Sequence, residues 1–559
     1  MHNNLAHPFY YLQNFTFVLE WVVGRYGDLL DVEESSFIAQ FQALPEASRA
    51  LLVRMVMRKG SVFRSGKLRY DEIGDVRQAM APLVASGFVV ADPVLAVEQL
   101  YALLTRGEFA AALGLGANKT AKKIDLLAAA AERRQDAQAF SAWCGDMTEH
   151  VWQLQVDDIC DRIRLMFFGN LYQDWSEFVL SDLGLYAYEK VEFSKASRAF
   201  HARVDIDFYL HCHACRERFH ELQGEACGVD EETSVLTGIE STLCSLDNSN
   251  AWLGERRARL LFQLAQRLEQ LEAHGPALRV YAQSAYPGAR LRRIRVLEKS
   301  GQPAAAMALA REAQAMPESA AEAQGLERML PRLARKLALP RETARKLREA
   351  ERIDLILPAP AEDYYVEEVA RAHLAAIDPQ ARVFYVENAL INSLFGLLCW
   401  DAIFHNLPGA FFNPFQSRPA DLHSADFRKR REAQFQACLA QLEGSRYRAT
   451  ILGNFARKAG LQSPFVYWDA IDADLLELAL DCIPPAHLTA WFERILADIA
   501  ANRNGFPDLI QFWPAEKRYR MVEIKGPGDR LQDNQIRLID FALSHGMPLA
   551  VCYVAWEED

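Results

Sequence analysis

Two short stretches near the C-terminal end hold the residue types that phosphodiester hydrolysis needs. Asn504-Gly505-Phe506-Pro507-Asp508 leads into Leu509-Ile510-Gln511-Phe512-Trp513, and Met521-Val522-Glu523-Ile524-Lys525-Gly526-Pro527 follows a short interruption. Hydrolysing a phosphodiester in water is very slow, so a catalyst must align a hydroxide with phosphorus and neutralise charge growing on the attacked and leaving oxygens. Carboxylates holding Mg²⁺ or Mn²⁺ do both. Glu523 and Lys525 stand two apart in a run that reads as a buried strand over 519–524, so both side chains leave one face. Ile524 points the other way, into the core, and its carbonyl between them is free to act as a third hard oxygen ligand. Pro514-Ala515-Glu516-Lys517 supplies turn chemistry, and the resulting hairpin would bring Asp508 beside Glu523. Lys525 would then face the same metal and phosphate, as base or as electrostatic stabiliser; the sequence leaves both roles open.

Together these residues form the PD-(D/E)xK constellation. Gly505-Phe506-Pro507-Asp508-Leu509, the run Val522 to Leu531, and Gln535 resemble the VRR-NUC nuclease domain. Upstream, Glu387-Asn388, the run Leu394 to Phe404, and Gln416 resemble its Fanconi-anaemia-associated nuclease branch, densely from about Glu367 onward and more loosely through the helical middle. The resemblance implies a further metal-site glutamate on a helix before the sheet, matched here by Glu387, and an active-site amide, matched by Gln416. It implies a structure-specific DNA endonuclease and 5′→3′ exonuclease that acts on 5′ flaps and branched DNA in interstrand crosslink repair. Its ion would be Mg²⁺ or Mn²⁺, held by Glu387, Asp508, Glu523 and the Ile524 carbonyl. Two other readings remain: a DNA-binding repair scaffold with a vestigial nuclease fold, which a broken metal site would favour, and an RNA-directed nuclease. Asn534 and Gln535, on a helix expected over 531–545, either approach phosphates or form a solvated face. A returning strand over 549–556 completes an α/β core.

The remaining elements must position this site. At 559 residues and 50% hydrophobic composition the chain has room for several folded domains. The expected order is an N-terminal helical DNA-binding region over 1–135, a helical region over 136–352, and a nuclease region over 353–559 with its VRR-NUC core at about 447–559. In the first, helix, loop, helix and short strand fit a winged-helix-like module with basic Arg58, Lys59, Arg64, Lys67 and Arg69, or ordinary helical packing. Residues 96–132 resemble a SAP motif, with Lys119, Lys122 and Lys123 at a helix N-terminus suited to phosphate. The middle looks like a tetratricopeptide-type solenoid, its helices separated by His274-Gly275-Pro276, Tyr286-Pro287-Gly288 and Gly301-Gln302-Pro303. Leu357-Pro358-Ala359-Pro360 marks entry to the catalytic region.

A formal net charge of -12 is awkward for a nucleic-acid enzyme. Net charge averages over faces, however, and the clusters Arg290, Arg292, Arg293, Arg295 and Arg428, Lys429, Arg430, Arg431 could grip DNA locally or solvate helix faces. Ten scattered cysteines point to reduced core thiols. His211-Cys212-His213-Ala214-Cys215 lacks a second ligand pair at zinc spacing and reads as helix. Neither a signal peptide nor a span of ~20 apolar residues is evident. The reading is a soluble cytoplasmic monomer whose partner is branched or flapped DNA, away from membranes.

Overall fold

The structure, a computed structural model, describes residues 7–114, 122–132, 136–145, 147–173, 175, 186–224, 227–247, 249–340, 347–358 and 365–557. Met1 to Asn4, Lys119, Ala359 and Pro360 lie outside them. The chain forms two compact units: Met1–Tyr186 with Ser194–Ile206, and Ala187–Phe193 with Asp207–Asp559.

The first unit opens with helices α1 (Tyr10–Tyr26), α2 (Val32–Ala43), α3 (Glu46–Val56) and α4 (Val76–Ala85). Asp31 caps α2 in a reciprocal capping box with Glu34, and Asp75 caps α4, satisfying amides that the helix leaves open. Strands β1 (Val62–Arg64) and β2 (Val89–Ala91) flank β3 (Val151–Leu154), antiparallel to both. The sequence reading gave the region from about Ala139 onward as helical. Val151-Trp152-Gln153-Leu154 is instead the central strand, too short for its β-branched and aromatic character to register as a period. Helices α5 (Val97–Leu103), α6 (Arg106–Ala112) and α7 (Lys123–Glu132) follow β2 and share one apolar core around Leu100 and Phe109.

The second unit begins, after the greater part of α8 (Arg203–Gly224), with α9 (Val229–Ser245), α10 (Ala251–Gln270), α11 (His274–Gln283), α12 (Ala289–Lys299), α13 (Pro303–Ala315) and α14 (Ala320–Lys336). From α9 on, each packs on the next. His274-Gly275-Pro276 does not separate helices: it is the first turn of α11, where proline's missing N–H costs nothing. Gly288 (φ 88°) and Gly301 (φ 77°) do turn the chain. Cys212 and Cys215 are buried free thiols on α8.

The catalytic region is built on a five-stranded sheet of β4 (Glu351–Leu357), β5 (Arg382–Tyr385), β6 (Leu509–Trp513), β7 (Arg518–Lys525) and β8 (Leu549–Trp556), in the order β4-β8-β7-β6-β5. β8 runs parallel to β4 and β7, while β6 is antiparallel to β7 and β5. β5 interrupts the stretch 366–403 that the sequence reading gave as helix-rich. Four residues, Arg382-Val383-Phe384-Tyr385, are again below the length at which alternation declares itself. Around it stand α15 (Val366–Ile377) and α16 (Leu390–Leu398), and α17 (Asp533–Ser544) crosses from β7 to β8.

Strand alternation sorts two cores. Leu509, Val522 and Ile524 face a small cluster with Ala370, Leu374 and Val383. Ile510, Phe512, Tyr519 and Met521 face the larger helical core around Phe395 and Trp491. Asp508, Glu523 and Lys525 share the parity of that second face, so the same alternation that buries the aliphatics aligns the polar groups. Burial of each aliphatic side chain contributes roughly 1.5–3 kcal/mol, which fixes the register against the cost of the charges beside them.

Candidate active site

The β6–β7 hairpin pairs Leu509 with Val522, which sets Asp508 at the mouth of β6 beside the end of β7. The Ile524 amide donates to Asp508 Oδ2 at 2.7 Å. Lys525 Nζ lies 2.8 Å from Glu523 Oε1, and the Gln535 amide from α17 donates to the same oxygen. Asp508, Glu523 and Lys525 are all buried, at 8%, 2% and 8% exposure.

The loop before Asp508 is held closely. Gly505 adopts φ 88°, a conformation that L side chains rarely take, and a Cβ there would stand 2.7 Å from Asn534 Nδ2 on α17, so the loop favours glycine here. The Phe506 amide donates to Asn388 Oδ1 at 3.0 Å, and Val386 N–H donates to the Asp508 carbonyl at 2.8 Å. Buried Asn392 donates to the carbonyls of both Asn388 and Arg503. These bonds seat Glu387 against the Asp508 loop. Glu387 is not on a helix: it occupies the turn between β5 and α16, where Asn388 takes φ 52°, because Asn388 must turn back to reach Phe506. The Tyr385 hydroxyl donates to Glu387 Oε2 at 2.6 Å.

Burial pushes the Asp508 carboxyl up to about 6; the Ile524 amide opposes the shift, and the charges of Glu387 and Glu367 add to it. Burial likewise raises Glu523 to about 7, with the charge of Asp508 next, while Lys525 pulls it back. Asp508, Glu523 and Glu387 are hard oxygen donors, and Lys525 is the one cation bonded to them among the described residues. Two buried carboxylates with the exposed Glu387 beside them, set against one ammonium, fit a divalent metal ion. No three ligating side chains stand as a ready-made cage among the described residues; Glu523 is turned toward Lys525 and Gln535. Sequence reading did not single out Glu367 or Tyr385. Glu367 opens α15 beside Val366, which lies against Gly526, and a glutamate in the first turn of a helix reads from sequence as a dipole partner.

Gln416 is not joined to this group by any described bond. Its Oε1 accepts the amides of Phe412 and Asn413, so it serves the loop's own backbone. Most arginines of the basic clusters are ion-paired within the fold. Arg428 pairs with Glu493, Arg430 with Asp421, and buried Arg431 with Asp421, leaving Lys429 exposed. Arg290 clamps Glu322 and Arg292 reaches Glu269, while Arg293 is half-buried. Lys123 Nζ bonds the Tyr101 carbonyl and sits 4.3 Å from its ring centre; Lys122 is exposed at the start of α7. Arg64 is held by Glu108 and Glu149. Ion pairs within the fold thus hold several of these arginines, while Lys122 and Lys429 stay exposed.

A central hairpin with Asp508, Glu523 and Lys525 on one face defines a nuclease of the VRR-NUC class, and the VRR-NUC domain family matches residues 442–556. The family described as "FAN1, HTH domain" matches 9–90, and the Fanconi anemia-associated nuclease SAP domain matches 94–143. A Fanconi-associated nuclease 1 homolog of Pseudomonas aeruginosa is 55% identical over 99% of this chain and 97% of its own; one from Arabidopsis thaliana is 22% identical over 97% and 67%. The crystal structure of paFAN1 bound to 5′ flap DNA with a two-nucleotide flap and a gap superimposes with a TM-score of 0.88, at 54% identity and 99% coverage of both chains. The chain belongs to the Fanconi-associated nuclease 1 family.

Proposed function

We propose that the chain is a metal-dependent phosphodiesterase that cuts DNA at 5′ flaps and related branches. The observation that carries this reading is the buried triplet in which Asp508 is bonded to Ile524 N–H and Glu523 to Lys525 Nζ. Solved relatives described as bound to one- and two-nucleotide 5′ flap DNA with a gap support the substrate class. Glu387, Asp508, Glu523 and the Ile524 carbonyl would hold Mg²⁺ or Mn²⁺, which would supply Lewis-acid polarisation and charge neutralisation when bound. Lys525, two residues from Glu523 on the same face, orients the attacking water or a phosphoryl oxygen with its ammonium. Gln535 fixes the Glu523 carboxylate from α17, and the Asn388–Phe506 bond keeps Glu387 in line with Asp508. Burial of Asp508, Glu523 and Lys525 keeps bulk water from competing for them. The role in interstrand crosslink repair follows from the family.

The test is cleavage of an end-labelled 5′-flap DNA with Mn²⁺. Asp508→Ala and Lys525→Ala are expected to abolish cutting while DNA binding persists; full activity in either refutes the site.

A further inference from the structure

We propose that a cleft between α12 and α14 binds backbone phosphates of DNA, at a place separate from the cutting site. The proposal rests on the DNA reading above. Arg295 and Lys299 stand four apart on α12, Arg332 and Lys336 four apart on α14, so each pair shares one helix face. The four line a cleft of about 260 Å³ with one carboxylate, Glu298. At ~30 Å³ per water that is room for about nine waters, enough for a hydrated phosphate.

The neighbouring arginines show why this cleft differs. Along the helical region, arginines are matched to buried glutamates: Arg267 to Glu232, Arg279 to Glu240, Arg290 to Glu322. In the cleft the match fails. Glu298 serves both Arg332 at 2.6 Å and Lys336 at 3.0 Å. Lys299 touches Glu269 only at 3.5 Å, an acid already shared with Arg292 and the Tyr281 hydroxyl. Arg295 makes no ion pair among the described residues. The side chains of Lys299, Arg332 and Lys336 remain 57%, 50% and 47% exposed despite their contacts. Four cations over one carboxylate, on a chain whose net charge is -12, form a local site for polyanions. The i, i+4 pairs, each ~5–6 Å apart, suit successive phosphates of a strand.

The test uses the full chain and gapped 5′-flap DNA with duplex arms of graded length, with Kd measured against salt. Arg295→Gln/Lys299→Gln is expected to weaken binding to the long-armed DNA by about tenfold at low salt and to flatten the log Kd–log salt slope by about 1 to 2, roughly 0.9 per lost phosphate contact. Glu298→Gln removes the one carboxylate and must tighten binding. Unchanged Kd and slope in the double variant, or unchanged or weaker binding in Glu298→Gln, overturns the proposal. A Lys525→Ala chain that still cuts would sink the active-site assignment without touching these slopes, so the two failures are distinguishable.

Discussion

Asp508→Asn, made in the metal-free protein, should stabilise the fold at pH 8 and not at pH 4. The carboxyl is pushed from its ordinary 3.8 to about 6 by burial and by the charges of Glu387 and Glu367. A folded-state pKa above the unfolded one means that the native state prefers the protonated acid. The penalty is absent below the unfolded pKa and grows as pH rises through the folded value. About 2 units at 1.36 kcal/mol each give an upper figure of about 3 kcal/mol at pH 8. The amide can still accept from Ile524 N–H, so the substitution removes charge without orphaning a donor. For a unit of roughly 360 residues, with an unfolding entropy of about 2.1 cal/mol/K per residue, 3 kcal/mol corresponds to a rise of about 4 °C. The assay is calorimetric melting in a chelator at pH 4, 6 and 8. Saturating Mn²⁺ should reverse the order at pH 8, because a ligand that binds only the native wild-type site raises its Tm alone. A variant that melts lower than wild type at pH 8 in chelator, or gains equally at pH 4 and pH 8, refutes the reasoning.

Gly505→Ala forces a side chain into φ 88° and against Asn534, and should cost about 1–3 kcal/mol in melting while lowering kcat on flap DNA. Gln416→Ala should cost about 1 kcal/mol, the loss of bonds to the Phe412 and Asn413 amides, and leave kcat/KM within about threefold; a loss of 100-fold or more would make it a catalytic group. Glu367→Gln should raise the Mn²⁺ concentration for half-maximal cutting several-fold without weakening DNA binding, read by titrating metal at fixed flap DNA. Arg64→Ala should lower the melting of the first unit by about 1 kcal/mol after discounting for solvent, since it releases Glu108 and Glu149 together.

The catalytic hairpin was legible because its signals coincide. Alternation, the proline before Asp508 and the turn at 514–517 agree on one register, and strands at Leu509–Trp513 and Arg518–Lys525 match the expected runs within a residue. Glu387 was found by resemblance alone, since its turn depends on Asn388 and Asn392 meeting a loop more than a hundred residues away. The ion-pair partners of the basic clusters were not legible, for a physical reason. Sequence shows where cations are dense but not which acids elsewhere in the chain pair with them, and Glu322, Glu493 and Asp421 are 32, 65 and 9 residues from their arginines. The three short strands β1, β3 and β5 carry too few residues for any period, and their partners, not their own composition, make them strands.

The segment Ala187–Phe193 belongs to the second unit although residues on both sides of it, up to Ile206, belong to the first. The Trp400 indole donates to Glu189, Lys458 pairs with the same carboxylate, and Val191 and Phe193 pack on the core around Phe395. These partners lie 211 and 269 residues further along the chain. At ~5–20 residues per second of synthesis, the segment emerges on the order of 10 to 50 s before its seat exists. For that interval Val191 and Phe193 are apolar side chains without a home, so a nascent chain halted before Trp400 presents a sticky tether, and a nuclease fragment begun at Asp207 lacks the piece that covers Trp400.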